Sequence, residues 1–214
     1  MKLLLFTIPF FDFLLTKLIG KKARWFQLHA TVNIVICTLI GKQSLKLLML
    51  PSLPLLQYSQ NDVLALQMVI GLHIYHLFIG KTLSFIEWWH HLCFVALGAL
   101  PVLFLYNNQI ISLFLFTGCG LPGAIEYTLL TMVKNNTITS LQQKNINSWI
   151  NNYVRCPISL YTVSFIHINN CYTGNYNFLE FYIMFLVFLN GTFFNKIAIE
   201  NYICHYNQKN SIKF

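Results

Sequence analysis

The stretch EWWHHLCFVALGALPVLFLYNNQIISLFLFTGCGLPGAIEYTLLTMV, residues 87–133, decides the fold class. It consists of two long apolar runs that are separated only by the polar turn YNNQ at residues 106–109. A helix that crosses a bilayer needs about 20 mostly apolar residues. Two such runs joined by a short turn predict two neighbouring antiparallel membrane helices. Similar apolar runs lie on either side of this stretch.

The whole chain has the composition of a membrane protein. Of its 214 residues, 56% are hydrophobic and only 9% are charged, and the mean hydropathy is +0.57. A water-soluble domain carries about 25% charged residues, whereas a disordered chain contains few apolar ones. The composition therefore excludes a soluble enzyme, a linker protein and a nucleic-acid-binding protein of the usual kind, despite a net charge of +8.

Seven segments are apolar and long enough, or nearly so, to cross a membrane. They cover residues 3–19, 25–41, 63–80, 90–106, 109–133, 146–168 and 178–195. The sequence thus predicts an all-α, multi-pass helical bundle that forms a single membrane domain over residues 1–214. Pro51 and Pro54 forbid a continuous helix between the second and third segments, which predicts an interfacial or re-entrant loop. Residues 201–214 form a polar tail that we expect to be frayed and cytosolic.

The basic residues in the connections predict the orientation, because cytosolic loops are enriched in Lys and Arg. Nine of them fall on one side and three on the other, which places the N-terminus outside or in the lumen and the C-terminus in the cytosol. The predicted location is the endoplasmic reticulum or another internal membrane. The cytosolic group is Lys21, Lys22, Arg24, Lys81, Lys134, Lys144, Lys196, Lys209 and Lys213, and the opposite group is Lys2, Lys42 and Lys46.

Polar side chains gather at one depth of this predicted bundle. Six helices place them in the cytosolic third, whereas the lumenal halves are mostly Leu, Ile, Val and Phe. Ionisable groups inside a spanning helix are costly and by default mark a functional site. We therefore predict a His-lined pocket that opens to the cytosol above an apolar cavity. The alternative is that these groups only hydrogen-bond between helices. The central members are His29, Asn33, His73, His76, His90, His91, Glu126 and Arg155.

The order of four motifs resembles the TLC-domain family, which includes the ceramide synthases. The motifs are RWFQLHATVN (residues 24–33), HIYH (73–76), EWWHH (87–91) and GLPGAIEY (120–127), and the similarity covers about residues 24–196. It implies transfer of an acyl group from acyl-CoA to a sphingoid amine. His90 and His91 match the histidine pair of the family. The family has two aspartates one turn apart in the next helix, where this chain has the single carboxylate Glu126.

This chemistry assigns roles to the polar residues. His90 or His91 would accept the acyl group or deprotonate the amine, and Glu126 would hold the imidazole in its useful tautomer. Basic residues on the cytosolic rim would attract the phosphates of coenzyme A; these are Lys21, Lys22, Arg24 and Lys81. The predicted lipid-binding or substrate-binding residues are His29, Asn33, His73, His76 and Arg155.

Three alternatives to acyl transfer stay open at the level of sequence. A non-catalytic lipid-binding or lipid-regulating protein would hold a headgroup in the same cavity, and the missing second acid favours it. Fatty-acid elongases also have seven helices and a double histidine. Di-iron hydroxylases and desaturases need about eight histidines in dedicated boxes, whereas this chain has seven in total. The sequence therefore predicts no bound metal or cofactor, with acyl-CoA as a candidate co-substrate, membrane lipids as partners and a homo-oligomer left open.

Overall fold

The computed structural model describes residues 2–78 and 83–211, without the side chains of residues 2–6 and 211. Over these residues the chain forms seven helices and no strand, which confirms the predicted all-α class and the number of helices. Lys81 and Lys213, which entered the orientation, lie outside the described residues, as does the side chain of Lys2. The helices are α1 (Lys2–Leu18), α2 (Arg24–Met49), α3 (Gln60–Phe78), α4 (Phe85–Leu105), α5 (Ile110–Lys134), α6 (140–173) and α7 (Phe178–Ser211).

Several helices run further than the apolar segments predict. α2 continues to Met49, and α6 begins at Ser140, where a capping box formed by Thr139 and Gln142 satisfies the first backbone N–H groups. α7 continues to Ser211, through residues that the sequence predicted to be frayed. Polar residues can extend a helix beyond its apolar part, because the backbone hydrogen bonds do not depend on the hydropathy of the side chains.

Three helices contain a π-helical segment in the described part of the chain. These segments are His91–Ala99 in α4, Phe116–Gly120 in α5 and Asn151–Arg155 in α6. π-Helical turns inside α-helices are rare and frequently accompany functional sites. Two of the three contain a predicted site residue, His91 and Arg155.

The exterior of the bundle is apolar. Four described helices are long and apolar enough to cross a membrane: α2, α4, α5 and the Phe178–Asn210 part of α7. Large aromatic side chains face outward, and Phe78, Phe85 and Phe178 are each more than 80% exposed. Such a continuous apolar surface indicates a membrane environment. The number of helices that cross, and their direction, stay predictions.

Two helix pairs make the most extensive contacts, α2 with α5 and α6 with α7. Each pair approaches closely at a glycine. A Cβ at Gly123 of α5 would lie 2.5 Å from Asn33 Nδ2 of α2, and a Cβ at Gly191 of α7 would lie 2.5 Å from Ser159 Cβ of α6. Small residues at these positions let the helix axes approach, as is common between membrane helices.

The end of the bundle opposite the histidines is also cross-linked by polar groups. Asp62 at the start of α3 is buried and accepts a hydrogen bond from the hydroxyl of Ser112 on α5. The hydroxyl of Tyr106 donates to Glu180 of α7 at 3.1 Å, and both side chains are buried. Although the sequence predicts mostly apolar lumenal halves, two buried carboxylates stabilise this end through neighbouring hydroxyl groups.

The proline-containing segment between α2 and α3 is a loop, as predicted, and it closes that same end. The N–H of Leu55 donates to Asn169 Oδ1 of α6 at 3.0 Å, and the N–H of Gln109 donates to the carbonyl of Leu56 at 2.9 Å. These bonds supply partners for backbone groups that would otherwise be unsatisfied in an apolar environment.

Candidate functional site

Five histidines lie together where α2, α3 and α4 meet. His29 comes from α2, His73 and His76 come from α3, and His90 and His91 come from α4. Ring centroids of neighbouring members are 5.1 to 6.2 Å apart. The structure therefore brings together the five histidines that were selected from the sequence, and we call them the histidine cluster.

Hydrogen bonds between imidazoles join α3 to α4. Nε2 of His73 lies 3.0 Å from Nε2 of His90, and Nδ1 of His76 lies 3.2 Å from Nε2 of His91. The other ring nitrogen of His73 donates to the backbone carbonyl of Val69 at 2.7 Å. The HIYH and HH motifs thus meet as two pairs, because the spacing of three residues in α3 places both of its histidines on the face toward α4.

Two aromatic residues that the sequence did not single out frame the cluster. The ring of Trp25 lies 3.8 Å from that of His76 and 4.1 Å from that of His29, centroid to centroid. The ring of Tyr127 lies 4.3 Å from that of His29 on the side of α5. Trp25 precedes His29 by four residues, so a helical reading of RWFQLHATVN would have placed both on one face.

The adjacent histidines of α4 line different cavities. His90 lines an apolar cavity of about 60 Å³ inside the bundle, together with Val69, Phe94 and Leu186. His91 lines a groove of about 310 Å³ on the outside, together with Trp88 and Trp89. Because Trp88 and Trp89 are exposed, the groove is open to the exterior of the bundle. The pair therefore gives the cluster an inner and an outer apolar face.

A third cavity, of about 290 Å³, is basic. It is lined by Lys21 and Lys22 before α2 and by Lys134 at the end of α5, together with Trp25, and we call it the basic cavity. Its three lysines are exposed to solvent. Since Trp25 also packs on His76, one side chain separates the basic cavity from the histidine cluster.

Arg24 also lines the basic cavity, but its charge is already paired. Its Nε donates to both carboxylate oxygens of Asp12 in α1, at 2.8 and 2.9 Å. Asp12 is buried and also accepts a hydrogen bond from the hydroxyl of Tyr75 at 2.7 Å. Arg24 therefore ties α1 to the site, and the three lysines carry the uncompensated positive charge of the cavity.

Glu126 lies in a separate polar network between α5 and α6. Its Oε1 accepts a hydrogen bond from Asn147 at 3.1 Å, and Asn147 Oδ1 accepts one from Asn151 at 2.9 Å. Arg155 then donates to Asn151 Oδ1 at 2.8 Å and to the carbonyl of Gly118 at 2.9 Å. Among the described residues, Glu126 makes no hydrogen bond to an imidazole. The structure thus connects Glu126 to Arg155, through two asparagines spaced by one helical turn.

The two remaining predicted binding residues lie at the margin of the histidine cluster. Arg155 is buried, and its guanidinium carbon lies 5.0 Å from the ring centroid of Phe194. The ring of Phe194 also lies 5.7 Å from that of His90. Phe194 therefore separates the cation from the cluster. Asn33 is buried one turn beyond His29 and packs on Gly123.

The donor set of this site consists mainly of imidazole nitrogens. Within the described ranges, no three His, Cys, Asp or Glu side chains are grouped so as to hold a metal ion. No family model, curated protein or solved structure matches this chain. The resemblance to TLC-domain proteins accordingly stays a prediction that rests on the four motifs and their order.

Proposed function

We propose that this protein handles membrane lipids at the histidine cluster, and that it transfers an acyl group from acyl-CoA to a lipid amine of the sphingoid type. One observation carries the proposal: the adjacent histidines His90 and His91 belong to a buried imidazole cluster and line two different apolar cavities. A neutral imidazole is both a nucleophile and a general base. The outer groove of about 310 Å³ beside His91 has the volume of a small ligand pocket and would hold part of an acyl chain, whereas the inner cavity of about 60 Å³ gives His90 an apolar surrounding.

The proposed acyl transfer has two steps. An imidazole nitrogen attacks the thioester carbonyl, the carbon–sulfur bond breaks, and coenzyme A leaves as the thiolate. The amine then attacks the acyl-imidazole, so that an amide forms and the imidazole is released. The proton that the amine loses converts the thiolate to the thiol. Covalent catalysis of this kind replaces one slow step by two faster ones.

The basic cavity supports coenzyme A as the acyl carrier. Lys21, Lys22 and Lys134 form a cationic pocket on the same side of the bundle as the cluster. Phosphate groups are attracted to such a pocket over a distance of about 10 Å at 0.1 M salt. Trp25 lies between this pocket and His76. If the phosphates of coenzyme A are bound in the pocket, the pantetheine arm would extend past Trp25 and carry the thioester toward the histidine cluster.

A non-catalytic lipid-binding function is the second candidate, and the position of Glu126 favours it. Glu126 bonds to Asn147, so the only acid that the family pattern offers for the catalytic group is engaged in the α5–α6 network. In this alternative the cluster binds a lipid headgroup by hydrogen bonds and leaves it unchanged.

The decisive experiment compares the lipids of cells that express the wild type, His90→Ala/His91→Ala and a matched control, His167→Ala/His205→Ala, at equal levels. The control removes two histidines that lie outside the cluster; His167 is exposed and His205 is half-buried. We expect new N-acyl lipids in the wild type and in the control, and none in the His90/His91 variant.

If all three lipid profiles equal that of cells with an empty vector, acyl transfer is contradicted. The second candidate then predicts that wild-type protein purified in detergent retains a defined lipid and that the His90/His91 variant loses it.

A further inference from the structure

The hydrogen bond between His73 and Val69 fixes the position of one proton. A backbone carbonyl oxygen can only accept, so Nδ1 of His73 must carry a hydrogen toward Val69 O at 2.7 Å. His73 is 9% exposed, and its hydrogen-bond partners are a carbonyl and an imidazole. A charged imidazole would be costly there, because neither partner carries a negative charge. His73 is therefore neutral, and its Nε2 presents a lone pair.

That lone pair in turn fixes the tautomer of His90. The two Nε2 atoms of His73 and His90 are 3.0 Å apart, so one of them must donate to the other. Since His73 Nε2 can only accept, His90 Nε2 carries the hydrogen. A neutral imidazole has one N–H group, which leaves Nδ1 of His90 without a proton. This Nδ1 atom is buried and has no hydrogen-bond partner among the described residues.

We infer that His73 is a positioning residue that holds His90 in the Nε2–H tautomer, so that Nδ1 of His90 is the nitrogen that accepts the acyl group. The assignment of Nδ1 rests on the proposed acyl transfer, whereas the tautomer itself does not. The carbonyl of Val69 orients His73, and His73 in turn fixes the tautomer of His90, as the carboxylate of a catalytic triad does for its histidine. A carbonyl oxygen, rather than Glu126, orients the imidazole.

The proton movements of the proposed reaction follow from this arrangement of His90, His73 and the carbonyl of Val69. When Nδ1 of His90 attacks the thioester carbon and coenzyme A leaves as the thiolate, His90 becomes positively charged. Its Nε2 hydrogen stays on His90 and remains hydrogen-bonded to Nε2 of His73, which lies 3.0 Å away and helps to stabilise this charge. When the amine displaces the acyl group, His90 is released as the neutral Nε2–H imidazole, and the proton from the amine goes to the coenzyme A thiolate.

The test uses full-length protein labelled with ¹⁵N-histidine in lipid nanodiscs. The ¹⁵N chemical shift separates protonated from unprotonated imidazole nitrogens, and the His90→Ala variant assigns the His90 signals. The variants are His73→Gln, whose side-chain oxygen can accept from His90 Nε2, and His73→Leu, which cannot. We expect an unprotonated His90 Nδ1 in the wild type and in His73→Gln, and a mixture of tautomers in His73→Leu.

Product formation and thermal unfolding are measured on the same samples. We expect His73→Gln to retain most of the activity and His73→Leu to lose about 100-fold or more, at similar unfolding temperatures. A wild-type spectrum in which His90 Nδ1 is protonated overturns the inference, as does an active His73→Leu. If the tautomer is as inferred but the wild type forms no product, the acyl-acceptor role fails together with the proposed function, and the positioning of His90 by His73 stands.

Discussion

Arg24, the first residue of α2, forms an ion pair with Asp12 in the middle of α1, and its Nε lies 2.8 Å from one carboxylate oxygen. Tyr75 of α3 donates to the same carboxylate. Arg24 precedes Trp25 and Tyr75 precedes His76, and both of these neighbours belong to the site. A single buried acid on α1 therefore anchors two helices at the positions from which the histidine cluster is built.

Removal of this acid is expected to destabilise the protein more than removal of its hydroxyl partner. Asp12→Asn should lower the free energy of unfolding by about 1.5–3 kcal/mol, because charge-assisted hydrogen bonds from Arg24 and Tyr75 are both weakened. Tyr75→Phe removes one bond only and should cost about half as much. Thermal unfolding in detergent measures both variants. Equal losses for the two would contradict the central role of Asp12.

An alanine at Gly191 should destabilise the protein, whereas an alanine at Gly41, another helical glycine, should not. Gly191→Ala should destabilise by about 1–3 kcal/mol, since the new methyl group would lie 2.5 Å from Ser159 Cβ. At Gly41 the nearest atom is a Phe116 ring carbon at 3.5 Å, an ordinary contact. Gly41→Ala should therefore be neutral or stabilising by up to about 1 kcal/mol. Two variants with the same unfolding temperature would refute this packing.

The network between Glu126 and Arg155 predicts that a second substitution, at Arg155, restores part of the stability that is lost when Glu126 is replaced. Glu126→Gln should destabilise by about 1–2 kcal/mol, because it weakens the hydrogen bond from Asn147 and removes the negative charge of the network that contains the buried guanidinium of Arg155. The double variant Glu126→Gln/Arg155→Met should be more stable than Glu126→Gln alone, since it also removes the unpaired positive charge. Chemical denaturation of both variants gives the comparison.

A loss of activity without a loss of stability would contradict the structural role of Glu126. If Glu126→Gln unfolds like the wild type but forms no N-acyl lipid, Glu126 acts in catalysis, as the sequence predicts, and its bond to Asn147 is incidental.

The basic cavity predicts a salt-dependent affinity for coenzyme A. Lys21→Gln/Lys22→Gln/Lys134→Gln should weaken binding to the protein in neutral nanodiscs by about tenfold or more at low salt, since each lysine contributes up to about 1 kcal/mol. The loss should shrink as salt screens the charges. The control Lys42→Gln/Lys46→Gln/Lys209→Gln removes the same charge elsewhere. Equal affinities of the two variants in equilibrium dialysis would exclude a phosphate site in this cavity.

The helices could be predicted from the sequence better than their ends. An apolar count locates the stretch that needs burial, but it does not show where the backbone hydrogen bonds stop. α6 illustrates the difference, because its first turns are polar and begin at the capping box of Thr139 and Gln142. That signal is visible in the sequence as a Thr followed three residues later by a Gln.

The sequence predicted which histidines form the site better than it predicted which side chains contact one another. The common depth of the five histidines follows from counting residues along antiparallel helices, and the structure brings these five together. Trp25 was visible at helical spacing from His29. Phe194, between Arg155 and His90, gave no such signal, because it is one of many phenylalanines in an apolar helix.

By itself, the sequence determined the all-α class, the seven helices and the presence of five histidines at one depth on three of them, because composition and residue spacing are local properties of the chain. Only the tertiary structure decided which polar groups are partners: Arg24 with Asp12, Glu126 with Asn147 and His73 with His90. The reason is physical. A buried polar group bonds to the nearest group that packing places within about 3 Å, and that neighbour depends on how distant segments of the chain pack together.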